Sequence, residues 1–252
     1  MRALAHAGAC LVLGMALVVS TAEAAEINVI AGGSMTTVLN ELGPQFERAT
    51  GHKVTIQFGS TPQLIKQVTS DAPFDLGVVP VEVYKDAAAR ERFAAGPTID
   101  IAKVGYGVVV RAGALIRPDV STPEAFKQTL LNAQSIATLP ESAAGAYVLS
   151  VFAKLGIADA LKPKIKAQPT PAQIPQAVAK GDAELGVFLT NVLIAPGVEL
   201  AGPFPGNLQQ ELVFSAAIAA KSTEAAIAKA FISYLRSPAS IETIRAKGMN
   251  SG

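Results

Sequence analysis

Apolar and polar positions fall into short blocks along this chain, and the period of each block predicts an element. Residues 27–30 form an apolar run broken only by Asn28, and residues 54–57 alternate apolar with polar, so both read as strands. Each leads into a small-polar turn, Ala31-Gly32-Gly33-Ser34-Met35-Thr36 in the first case and Phe58-Gly59-Ser60-Thr61 in the second. Each turn opens a helical pattern. Residues 39–50 put Leu42, Phe46 and Ala49 on one face and stop at Gly51, and residues 64–70 follow the second turn. Residues 74–79 are an apolar run holding Asp75. They read as a buried strand whose carboxylate bonds a turn or backbone amides. Residues 81–95 read as one helix.

The texture changes further on. Residues 104–111, Val-Gly-Tyr-Gly-Val-Val-Val-Arg, read as one long strand. Thr122 and Pro123 then open a helix as cap and first-turn proline. A strand at 135–139 is followed by the turn Pro140-Glu141-Ser142-Ala143-Ala144-Gly145 and a helix at 146–155 closed by Gly156. A helix at 171–180 closes at Gly181, and a strand follows at 183–189. Late strands fall at 198–202 and 211–219, and helices at 222–235 and 238–247. Strands alternating with helices predict an α/β fold with mostly parallel sheets.

Composition narrows the function classes. Half of the 252 residues are apolar and 16% are charged, which allows a sizeable core. A formal net charge of +1 and the lack of a basic cluster give no footing for nucleic acid. Arg2, the apolar stretch at 11–19 and Ala22-Glu23-Ala24 read as a secretory signal peptide over 1–24, too short to span a bilayer. The expectation is therefore a cleaved, periplasmic chain without membrane insertion. Cys10, the only cysteine, falls in that segment, so the mature chain has no disulfide, thiolate site or cysteine nucleophile. His52 is its only histidine, which argues against a histidine-built zinc site, and nothing calls for a cofactor or for an oligomer.

The two small-polar turns place free N–H groups and hydroxyls at helix starts, which is chemistry for an anion held without formal charge. Those turns, with Phe46-Glu-Arg-Ala-Thr-Gly51, Ala72-Pro-Phe-Asp75, Ala143-Ala-Gly145, Leu155-Gly156 and Leu185-Gly186, resemble the periplasmic molybdate-binding family of ABC importers, over nearly the whole mature chain. The resemblance implies a two-lobed periplasmic binding protein fold of type II, with the ligand cleft between the lobes. Residues 25–103 and 204–252 would form lobe 1 and residues 104–203 lobe 2. It also implies a monomer that binds a small anion, an oxyanion or an organic carboxylate, for an importer permease.

Carried onto this sequence, the family's donors fall on Ser34, on Thr61 with Ser60 beside it, and on the backbone of Ala144, with Ser142 and Gly145 in the same turn. Two positions depart from the pattern. Pro171 stands where the family donates a backbone N–H, and proline has none; Leu189 stands where the family has a tyrosine hydroxyl. Thr190 follows directly and, with Asn191, is a candidate replacement donor. Arg111, at the end of its run, is a candidate to face an acidic ligand. The chain is also similar to periplasmic aconitate isomerases. That likeness implies an alternative, allylic proton transfer between cis- and trans-aconitate, which needs one general base and no metal; Glu141 is the candidate base.

Overall fold

The computed structural model describes residues 24–115 and 117–252, so the signal-peptide reading and Cys10 lie outside the described residues. In chain order the strands are β1 (Glu26–Gly32), β2 (Lys53–Gly59), β3 (Leu76–Pro80), β4 (Ile99–Val104), β5 (Tyr106–Arg111), β6 (Ile136–Thr138), β7 (Ile165–Ala167), β8 (Leu185–Leu189), β9 (Val198–Pro203), β10 (Leu212–Ile218) and β11 (Asn250–Ser251). They make two sheets. One has the order β11-β4-β10-β3-β1-β2 and the other β7-β6-β8-β5-β9. In the first, β1 runs parallel to β2 and β3, while β10 runs antiparallel to β3 and β4. In the second, β6 runs parallel to β7 and β8, and β5 lies antiparallel between β8 and β9. The fold is α/β as expected, but the sheets are not mostly parallel: five of the nine strand pairings among the described residues are antiparallel, because β5 and β10, next to the points where the chain changes sheet, run against their neighbours.

Two further expectations fail for identifiable reasons. The helix read over 81–95 is two pieces, a 3-10 segment Val81–Lys85 and a single α-turn Ala87–Arg90. Asp86 divides them: its backbone is extended and its carboxylate accepts from Ala89 N at 2.9 Å, so it caps a new helix start. The long strand read over 104–111 breaks at Gly105, because the residues before it pair with β10 and those after it with β8 and β9. The chain changes sheet there. The Gln209 side chain holds this crossover, accepting from Tyr106 N and donating to Tyr106 O, both at 2.9 Å.

The helix Thr36–Thr50 shows how pattern becomes packing. It ends where Gly51 adopts φ 78° and donates to Glu47 O. Its apolar stripe buries Val38, Leu39, Leu42 and Phe46 completely. Phe46 meets Phe231 and Tyr234 at ring-centroid distances of 4.9 and 5.5 Å, and burial of one such ring contributes about 1.5–3 kcal/mol. Asp75 has the structural role expected of it, accepting from Asn28 N at 2.9 Å and from Ser222 Oγ at 2.7 Å.

Candidate functional site

Strand β1 ends at Gly32, against the ring of Phe214 from β10; a Cβ there would lie 2.7 Å from that ring, so only glycine permits the approach. The 3-10 turn Gly33–Met35 then leads into the helix Thr36–Thr50. Thr36 Oγ1 donates to Gly33 O at 2.6 Å and tightens the turn. Ser34 is buried, and neither its hydroxyl nor its N–H has a protein partner among the described residues.

The second helix start is built on the same plan. Strand β2 ends at Gly59, Ser60 is the N-cap, and the helix Thr61–Thr69 carries Pro62 in its first turn. Ser60 N donates to Gln63 Oε1 at 2.8 Å, while the N–H of Thr61 has no protein partner among the described residues. The third start comes from the other sheet. After β6, Ser142 caps the helix Ala143–Lys154, its Oγ accepting from Gly145 N at 3.0 Å and donating to Leu139 O at 2.9 Å. Ala143 N donates to Thr61 Oγ1 at 3.0 Å, joining the second and third starts. Between these two bonded neighbours, the N–H of Ala144 lacks a protein partner among the described residues, and Ala144 is buried.

These starts meet around one enclosure of about 20 Å³, lined by Gly33, Ser34, Ser60, Thr61, Ser142 and Ala144, and closed by apolar side chains including Phe188 and Phe214. None of its lining residues is charged. The field comes instead from the positive ends of three helices, and each hydrogen bond from such a donor to an anion contributes about 1.5–3 kcal/mol. Pro171 also lines the enclosure, so a residue without an N–H stands at the wall. Beside it opens a cleft of about 740 Å³ between the 33–63 segment and the 169–196 segment. Asn191 bridges those segments, donating from Nδ2 to Ser34 O at 2.7 Å. That bond orients the amide and leaves its buried Oδ1 without a partner among the described residues.

The structure therefore brings Ser34, Ser60, Thr61, Ser142 and Ala144 together. Gly145 lies one residue behind, where its missing side chain lets the helix pack onto the Leu139 carbonyl. Thr190 turns its hydroxyl to Gly105 O at 3.2 Å, beside the crossover, and it is Asn191 that lines the cleft. Leu189 is fully buried, and the side chain on that strand lining the enclosure is Phe188. Arg111 is exposed and lines a separate cavity of about 650 Å³, with its guanidinium over Gly181. Glu141 is exposed and lines neither the enclosure nor the cleft. Phe214 and Leu212 reach the site from the far end of the sequence, and no local signal marks them.

Two α/β sheets, a doubled chain crossing and an uncharged donor cluster between them define a two-lobed binding protein. The family model of the bacterial extracellular solute-binding proteins matches residues 27–250, and the chain belongs to that family. It is 32% identical to the molybdate-binding protein ModA of Azotobacter vinelandii over 249 residues, covering 94% of each chain. It is 30% identical to an aconitate isomerase of a Pseudomonas species over 252 residues, covering 95% of each. The solved structure of the A. vinelandii periplasmic molybdate-binding protein matches with a TM-score of 0.74 at 23% identity, over 90% of this chain and 99% of that one.

Proposed function

We propose that this protein captures a small anion in the enclosure of Ser34, Thr61 and Ala144 and presents it, from the periplasm, to an ABC-type import permease. One observation carries the reading: three helix starts from two sheets turn unpartnered donors into one uncharged enclosure. An anion there gains the helix-end field and several donors at once. A solute that must be released to a permease is better served by neutral donors than by a buried ion pair, which is costly to break. Two bonds join the two sheets' segments, Ala143 N to Thr61 Oγ1 and Asn191 Nδ2 to Ser34 O, and an opening of the cleft would part them.

The isomerase alternative lacks comparable support. Neither the enclosure nor the cleft has a carboxylate among its lining residues. The reading is tested by titrating the purified protein with molybdate, sulfate and short carboxylates in a calorimeter. Ser34→Ala is expected to weaken the anion that binds by on the order of 10- to 100-fold, while the unliganded unfolding midpoint stays within a few degrees. An anion that binds Ser34→Ala as tightly as the parent would overturn this assignment of the site.

A further inference from the structure

Resting on that anion-binding reading, we infer that the ligand is an organic acid whose acid group enters the enclosure and whose carbon skeleton lies in the adjoining cleft. The enclosure, at about 20 Å³, is close to the roughly 10–15 Å³ that one water requires. The cleft is about 740 Å³, inside the range of roughly 300–1,000 Å³ typical of sites for organic small molecules. The two share Gly33, Ser34, Gly59, Ser60 and Pro171, so a ligand passing from one to the other stays against the same wall.

The chemistry of that wall decides the class. Pro169, Pro171, Pro175 and Pro196 line the cleft with Phe58 and Ile194, beside the polar side chains of Thr170, Gln176 and Asn191. Prolines contribute ring carbons and no N–H, so these positions cannot serve an oxyanion. Ile194 is 66% exposed, a large apolar side chain left facing solvent at the cleft wall. A tetrahedral oxyanion, polar on every side, gains nothing from the proline, Phe58 and Ile194 part of this surface; a carbon skeleton gains there by leaving water. The one charged residue among the lining, Lys180, is a cation, and so does not oppose an acid in the cleft.

The test is calorimetric titration of the full mature protein with acetate, butyrate and hexanoate, beside molybdate and sulfate. Affinity should rise by about fourfold for each buried methylene, and the longer acids should outbind both oxyanions. Ala172→Trp places a ring in the cleft from an exposed position; it should abolish the chain-length dependence and leave acetate within twofold. Ala195→Trp repeats the block from the far end of the same 169–196 segment should the first variant misfold, with thermal unfolding as the check. Tight oxyanion binding, indifferent to chain length and to both tryptophans but lost in Ser34→Ala, would overturn the organic-acid inference and keep the anion site. Failure of every anion to bind the parent would overturn both.

Discussion

The two walls of the cleft use opposite means. The wall from the first sheet carries the helix starts at Ser34 and Thr61, whose N–H groups and hydroxyls are left without protein partners or free to donate. The wall from the second sheet gives the N–H of Ala144, but Pro169, Pro171, Pro175 and Pro196 stand along it without an N–H, and its Ser142 hydroxyl is satisfied within its own helix cap. On the proposed reading, the first wall holds the anionic group. On the same reading the second wall, where four prolines stand beside Thr170, Gln176 and Asn191, selects by shape, while a donor cluster selects by charge. Relatives bearing the names of a molybdate-binding protein and of an aconitate isomerase match this chain at nearly equal identity.

The comparison breaks most severely at Gly145. A Cβ there runs into the Leu139 carbonyl, so Gly145→Val should displace the third helix start and cost about 3 kcal/mol or more. The unfolding midpoint should drop by on the order of 10 °C, and a melting curve within two degrees of the parent would mean that the helix start tolerates displacement. Pro171→Ala should make the second wall resemble the first by restoring an N–H. Oxyanion affinity should then rise about tenfold if that N–H reaches the ligand, and calorimetry with molybdate and sulfate checks it. Arg111→Ala should change least. The guanidinium is exposed and outside both walls, so at physiological ionic strength screening should keep anion affinity within about twofold of the parent. A loss of tenfold there would bring Arg111 back into the site.

The legible parts of the fold are those with local causes. The helix Thr36–Thr50 follows from its apolar stripe and from Gly51, whereas the helices read from 64 and from 146 begin three residues earlier, at Thr61 and Ala143, where Ser60 and Ser142 cap them. Strand β7 was not legible, since Ile165-Lys166-Ala167 has no period and becomes a strand only by pairing with β6. The broken helix at 81–95 misled for a related reason: its apolar spacing suits a helix, and the Asp86 cap that interrupts it is one residue in the middle of that spacing. Within the site, Ser34, Thr61 and Ala144 were legible through their turns, whereas the placements of Arg111 and Thr190 depended on where strand ends came to lie.

The sequence alone determined that helix starts rich in small polar residues follow strand ends, because capping and periodicity act over a few neighbouring residues. It also determined that Pro171 can donate no backbone hydrogen bond. Only the tertiary structure decided that the run at 104–111 divides at Gly105 between two sheets. It alone decided that Ala144 faces Ser34 and Thr61, and that Phe188 and Phe214 close the enclosure while a proline-lined cleft opens beside it. Those contacts join segments far apart in the chain, and their geometry is set by how the sheets pack, which no local pattern encodes.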